Sequence, residues 1–414
     1  MSESEQRQNT PKNLLRESTE SPSLSAYVQN YFKRIQAGDM GGFTIILGVI
    51  VIAFIFQSLN ENFLTPRNIV NLIVQMAGIT TIAIGVVFVL LLGEIDLSIG
   101  HVSAVAAVTM AIVMLPSNGW PWYLAISLAL IAVGLIGIGQ GLIITRFQLP
   151  SFVVTLAGLL VWNGVVLLLI GNGGTVTIQD QTVINIANYF LPPVWGWIVA
   201  IVSVALFASG QINRWRSRRK RDVSLTPLAI VVGQIVLVAA LTFLAVYICN
   251  LDRGVPFVGV LVMVFLVAFS FLAMRTRFGR YVYAIGGNME AARRAGINVS
   301  QTRIKVFMIS SIMAGMGGII LASRLRSVDA AAGGGNLMLN SIAAAVIGGT
   351  SLFGGSGRVM SAFLGALVIA SVENGMGLMG YSSGVKFVVT GLVLLGAVII
   401  DAITRQGRTR SGIA

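Results

Sequence analysis

Residues 70–92 read VNLIVQMAGITTIAIGVVFVLLL, the next eight, Gly93–Gly100, read GEIDLSIG, and a second apolar run opens within them at Leu97. The first stretch carries no charge over 23 residues, enough at 1.5 Å per residue to cross the roughly 30 Å hydrocarbon core of a bilayer. The second sets two carboxylates, Glu94 and Asp96, between two glycines at a boundary between apolar runs. Ionisable groups at membrane depth are costly and line polar routes. A broken helix of this kind can turn free backbone groups toward a solute or a partner. The competing reading is a helix-end pair, with Asp96 capping the next helix.

The same pattern repeats along the chain. Apolar runs fall at 41–58, 70–92, 97–115, 122–145, 152–170 and 191–209, then at 227–249, 255–274, 306–323, 338–353, 361–379 and 385–403. The expected fold class is therefore all-α, a polytopic membrane helix bundle of about 12 spans. Composition agrees: 56% hydrophobic and 10% charged, against about 25% charged in soluble chains, excludes large soluble domains. The expected domains are a polar N-terminal tail (1–40), a transmembrane unit (41–403) and a short C-terminal tail (404–414). Within the first tail, residues 23–37 suit a short surface helix capped by Ser23, with Leu24, Tyr27, Val28, Tyr31 and Ile35 on one side; a disordered tail is the alternative. No secretory signal pattern precedes the first run.

The net charge of +13 admits nucleic acid, anionic lipid or topology as its cause. With the N-terminus inside, 23 of the 28 Lys and Arg residues fall on the inner side, as the positive-inside rule requires. An N-in, C-in arrangement follows, and nucleic acid is not needed. The run RWRSRRKRD (Arg214–Asp222) fixes orientation and meets anionic head groups. One cysteine, Cys249, and one histidine, His101, exclude an internal disulfide, a CxxC site and a histidine metal cluster. No Walker A sequence, Gly-x-Ser-x-Gly elbow or zincin pair is present, so the chain is not expected to be an enzyme and no cofactor or metal is expected on it.

Other polar positions within the runs are Glu373 with Asn374, Asp401 at a span end, and Gln75, Thr80, Thr81, Gln140, Asn163, Gln234 and Ser311. Glu94, Asp96, Asn163, Glu373 and Asn374 are the candidates for a translocation path; Asn163 follows Trp162, and an amide beside an aromatic face suits a sugar. The uncharged groups otherwise serve interhelical hydrogen bonds. Gly137 and Gly141 form a G-x-x-x-G pair for close helix contact. A second break, GGTSLFGGSG (Gly348–Gly357), falls on the same side as GEIDLSIG and hints at two related half-bundles.

The longest inner connection, 275–305, contains Glu290-Ala291-Ala292-Arg293-Arg294-Ala295-Gly296. Good helix formers, an early Glu, late Arg residues and a terminal Gly describe a short helix with a left-handed cap. Its small residues and charged rim suit docking in a groove of another protein.

E-A-A-x-x-x-G in this loop resembles the motif by which permease subunits of bacterial ABC importers engage their ATP-binding partner. The Ile-x-Leu-Pro that follows in maltose-type permeases is missing. FGRYVYAIGGNMEAARRAGIN (Phe278–Asn298), GEIDLSIG, LPSFVVTLAGLLVWNG (Leu149–Gly164) and AAAVIGGTSLFGGSG (Ala343–Gly357) together resemble the monosaccharide permease family of ribose, galactose and xylose transporters. The likeness runs from about Phe43 to the C-terminus. Against a family core of ten spans, an added hairpin at about 191–250 and the EIDLS break match the long, xylose-transporting members. The resemblance implies a homodimer, a separate ATP-binding subunit with two nucleotide-binding domains that uses ATP and Mg, and a periplasmic or lipid-anchored sugar-binding protein. It also implies location in the bacterial inner membrane and a coupling element made of Glu290, Ala291, Ala292 and Gly296. A proton-coupled carrier of the major facilitator type would show a Gly-x-x-x-Asp-Arg-x-Gly-Arg-Arg-like loop after its second span, which GEIDLSIG is not. A receptor or scaffold would neither move solute nor hold an ATPase.

Overall fold

The computed structural model describes residues 43–171, 174–220 and 227–410; the expected surface helix at 23–37, both chain ends and part of the basic run lie outside them. Its helices are α1 (Phe43–Leu59), α2 (Pro66–Leu91), α3 (Ile99–Val113), α4 (Trp122–Arg146), α5 (Ser151–Ile170), α6 (Gln181–Asn188), α7 (Pro193–Arg219) and α8 (Leu228–Asn250). They continue as α9 (Phe257–Arg275), α10 (Arg277–Gly287), α11 (Met289–Arg294), α12 (Val299–Leu325), α13 (Leu337–Ile347), α14 (Met360–Leu378) and α15 (Ser383–Arg410). Among the described residues there are also four very short strands: β1 (Thr175–Thr177), β2 (Phe190–Leu191), β3 (Val255–Pro256) and β4 (Ser327–Asp329).

Among the described residues, eight helices are long and apolar enough to cross a membrane, and four shorter apolar helices join them. These segments match, one for one, the apolar runs of the sequence. The chain is a polytopic helical membrane protein.

Helix α12 is the axis of the bundle. Asn298 caps it by accepting the Gln301 N–H at 3.0 Å, and Arg326 ends it with φ of 58°. Lipid tails are as apolar as leucine, so helices associate here through close contact of small residues. A Cβ on Gly78 or Gly85 of α2 would meet Leu321, Gly317 and Ser310 of α12. Gly318 and Gly315 of α12 abut Ser103 and Ala106 of α3, and Gly137 and Gly141 of α4 abut Phe307 and Ile304. The G-x-x-x-G pair therefore packs α4 on α12. Beyond this core, α14 holds α13 through Gly365 against Ala344 and holds α1 through Gly375 against Phe56. Leu168 of α5, Leu206 of α7 and Val267 of α9 present apolar side chains outward, as a lipid-facing rim does.

One end of the bundle carries two antiparallel strand pairs, Thr175–Thr177 on Ser327–Asp329 and Phe190–Leu191 on Val255–Pro256. The sequence reading gave residues 171–190 no structure. They hold β1, β2 and α6, whose cap Asp180 accepts the Thr182 and Val183 amides. Asn188 then ties α6 to the Ser323 carbonyl at 2.8 Å.

Four ends differ from the sequence reading by six residues or more. α12 starts at Val299 instead of 306, because the Asn298 cap recruits a polar turn. α13 stops at Ile347 instead of 353, where the Gly348–Gly349 pair breaks it. α7 continues to Arg219 instead of 209, and α15 to Arg410 instead of 403; arginine is a good helix former, so a basic run need not end a helix.

Candidate functional site

Three glycine-bearing segments meet at the other end of the bundle. Gly93 ends α2 with φ of 76°, and its next residues form the GEIDLSIG break. The Gly355 N–H, from the second break, donates to the Leu91 carbonyl at 2.9 Å. Gly286, at the end of α10, lies so close that a Cβ there would overlap the same Leu91 oxygen. The Tyr283 hydroxyl of α10 donates to the Gly357 carbonyl at 2.8 Å. The two breaks therefore touch each other and the element that precedes α11.

Inside the first break, the amides that no helix satisfies find side chains of α5, as a buried backbone must. The Ile95 N–H donates to Ser151 Oγ at 3.3 Å and the Leu97 N–H to Thr155 Oγ1 at 3.1 Å. Asp96 is buried and accepts from the Ser98 amide at 2.9 Å, the Ser98 hydroxyl at 2.7 Å and the Ser310 hydroxyl at 3.3 Å. Ser98, not Asp96, is the N-cap of α3, which corrects the capping alternative. Gln140 Nε2 donates to Ser98 Oγ at 2.9 Å. Glu94 accepts a hydrogen bond from Arg303 Nε, in the second turn of α12, and both side chains are largely buried. Neither Arg303 nor Ser151, Thr155 and Ser310 was singled out from the sequence.

The coupling candidates form one short helix. Asn288 caps α11 by accepting the Ala291 amide at 2.9 Å, and Ala292 is its buried residue. Glu290 is exposed and pairs within the helix with Arg293 at 3.2 Å and Arg294 at 3.3 Å. Gly296 takes φ of 82° just beyond the end, the left-handed stop that glycine supplies without strain.

The remaining path candidates lie apart from this cluster. Asn374 bonds Asn68 at 2.7 Å and Gln75 at 3.1 Å, near the opposite end of α2. Glu373 accepts from Asn340 at 2.6 Å. Asn163 is half-buried and makes no side-chain hydrogen bond among the described residues, while the neighbouring Trp162 indole N–H is buried without a partner. Thr80 and Thr81 bond carbonyls of their own helix, and Gln234 bonds Gln211. Ser311 Oγ is buried without a partner among the described residues, and the Asp401 side chain lies outside them. Among those residues, no group of three or more His, Cys, Asp or Glu could hold a metal ion.

The site thus belongs to a polytopic membrane helix bundle with two broken segments in contact, polar groups inside it and a short charged helix at its edge. The family described as branched-chain amino acid transport system / permease component matches residues 68–400, and the chain belongs to it. It is 38% identical over 382 residues to the xylose transport system permease protein XylH of Escherichia coli (strain K12), covering 91% of this chain and 95% of that one. XylH of Haemophilus influenzae (strain ATCC 51907 / DSM 11121 / KW20 / Rd) is 36% identical over 364 residues, 87% of this chain and 96% of that one. The ribose import permease protein RbsC of Bacillus subtilis (strain 168) is 33% identical over 355 residues, 86% of this chain and 91% of that one. No solved structure matches the chain. The relatives are transport permeases rather than enzymes.

Proposed function

We propose that this chain is the permease subunit of an ATP-driven ABC importer in the bacterial inner membrane and that its solute is a monosaccharide, D-xylose before ribose or galactose. The observation that carries the reading is the 38% identity to a xylose permease across 91% of the chain; the chain also keeps a capped Glu290–Gly296 helix beside two contacting breaks. ATP and Mg are used by a separate subunit with two nucleotide-binding domains. A sugar-binding protein delivers solute from outside, and two permease copies enclose the path. Affinity resides in the binding protein, so the permease needs weak polar contacts, for which the Trp162 indole, Asn163, Glu373 and Asn374 are candidates. ATP binding closes the nucleotide domains, and their movement enters the bundle through α11.

The test is purification of the chain from solubilised membranes, an ATPase assay on the eluate, and labelled xylose uptake in proteoliposomes with and without the ATPase and binding protein. Co-purifying ATPase with ATP-dependent xylose uptake is expected. ATPase without xylose uptake discards the sugar, and uptake driven by a proton gradient without ATPase discards the class. Gly296→Pro and Glu290→Arg should each uncouple hydrolysis from uptake with membrane insertion intact, and unchanged uptake in both removes α11 from the mechanism.

A further inference from the structure

Of the ion pairs among the described residues, Glu94–Arg303 is the one buried on both sides, its side chains 7% and 15% exposed, whereas those of the α11 pairs are 57% or more exposed. Replacing a buried ion pair by apolar packing is often neutral, so such a pair is weak evidence for a stabilising role and better evidence for fixing a register. Glu94 Oε2 is buried with no hydrogen-bond partner, so the carboxylate has no other side-chain anchor among the described residues.

The positions of the two partners matter more than the pair itself. Arg303 follows α11 by a short, tightly bonded connection: the Gly296 N–H donates to the Arg293 carbonyl at 3.0 Å and the Ile297 N–H to the Ala292 carbonyl at 3.1 Å. On the other side, α10 and α11 are joined through Asn288, whose amide donates to Ala284 O at 3.0 Å and whose side chain caps α11. The start of α12, α11 and α10 are thus joined by hydrogen bonds across both connections. That unit holds both the end of α2 and the break that follows it, the first through Gly286 against the Leu91 carbonyl and the second through Arg303 on Glu94.

We propose that Arg303 is a positioning residue that, together with the Gly286 contact, locks residues 92–98 to the α10–α11 unit, so that displacement of α11 is delivered to the break instead of being absorbed by the connecting loop. The effect on transport rests on the permease reading above; the lock itself does not. Through Ser151 and Thr155 the displacement reaches the start of α5 as well. A role confined to local stability would hold the break in place without linking its opening to that of α11.

The test uses the full chain in lipid nanodiscs and four forms: wild type, Arg303→Gln, Arg303→Lys and the double variant Glu94→Gln/Arg303→Gln. Hydrogen–deuterium exchange is read on the chain alone in segments 92–98 and 286–294. Arg303→Gln leaves a buried carboxylate unpaired and is expected to speed exchange about tenfold in both segments together. Arg303→Lys keeps the charge, and the double variant leaves two amides that can bond each other; both should return to within about threefold of wild type. Faster exchange at 92–98 with 286–294 unchanged, or no change in either, overturns the lock. With the ATPase and binding protein added, Arg303→Gln should lower sugar moved per ATP at least fivefold while the ATPase still co-purifies, and an unchanged ratio overturns the transmission role. If wild type retains no ATPase, the permease reading fails, and the exchange result on the chain alone still decides the lock.

Discussion

At the scale of single residues, the contact between the breaks and α10 is made by backbone. Gly286 has no room for a methyl group against the Leu91 carbonyl and the Gly355 amide, whereas Gly287 has nothing within 4 Å. Gly286→Ala should therefore destabilise the chain by roughly 1–3 kcal/mol, the usual effect of overpacking, and Gly287→Ala should leave it unchanged; thermal melts in detergent compare the two. Tyr283 tests the same junction by hydrogen bonding. Tyr283→Phe removes the donor to Gly357 and should cost about 1 kcal/mol. Burial raises the Tyr283 phenol above its ordinary value, with the Arg358 charge acting in the opposite direction. The folded chain keeps this proton where the unfolded chain loses it, so the contribution is full below the ordinary value of about 10 and is lost as pH rises through the folded value. A wild-type melt should show that alkaline loss and Tyr283→Phe should lack it. Glu94 and Asp96 were legible as acids in a break, since a carboxylate among apolar runs stands out. Their partners were not, because Arg303 and Ser310 lie 209 and 214 residues away, and polarity says that a buried acid needs a partner without saying which.

At the scale of elements, apolar length located nearly every helix, and the misses have physical causes. The sequence run 338–353 counts as a span, yet α13 is 11 residues, about 16 Å at 1.5 Å per residue, half a hydrocarbon core. Hydropathy averages over glycines that backbone geometry cannot ignore. In α7 the error runs the other way. Its 27 residues reach about 40 Å, so the helix carries its basic end past the apolar region. That end frames a surface hollow of about 450 Å³ lined by Trp215, Arg216, Arg219 and Lys220, and Arg219 lies over the Trp215 ring, 5.4 Å from its centre. Each basic residue near an anionic leaflet contributes about 1 kcal/mol. Changing Arg214, Arg216, Arg218, Arg219 and Lys220 to Gln should cut retention of phosphatidylglycerol over phosphatidylcholine at least fivefold, read by native mass spectrometry; equal retention would remove the lipid role. The hairpin is fastened at its other end, where Arg253 sits 4.3 Å from the centre of the Phe190 ring and bonds Asn71 at 2.6 Å. Arg253→Ala should loosen α7 and α8 in hydrogen exchange while leaving α12 protected.

At the scale of the whole molecule, the sidedness of the chain is the reading on which the path, the ATPase face and the binding-protein face all depend. The structure separates two ends, one with the strand pairs and one with both breaks, α10 and α11. The basic residues then choose which end faces inward: the segments at the end with the breaks contain most of them, and positive charge stays inside. Hydropathy alone could not make that choice, because an inverted bundle is equally apolar. Cysteine labelling decides it against a low background, since Cys249, the chain's one cysteine, is buried and its thiol is a poor target. Asn118 and Ser382 are exposed in loops at the end with the strand pairs, and Ser300 is exposed at the end with the breaks, beside α11. In intact spheroplasts, a membrane-impermeant maleimide should modify Asn118→Cys and Ser382→Cys, and should reach Ser300→Cys only after the membrane is permeabilised. The reverse pattern would turn the molecule over, place α11 beyond the reach of any cytoplasmic ATPase and leave the strand pairs facing the wrong way for a delivered sugar. Labelling of all three before permeabilisation would break the odd number of crossings, α4, α5, α7, α8 and α9, that separates Asn118 from Ser300, and with it the opposite sidedness of the strand pairs and the breaks.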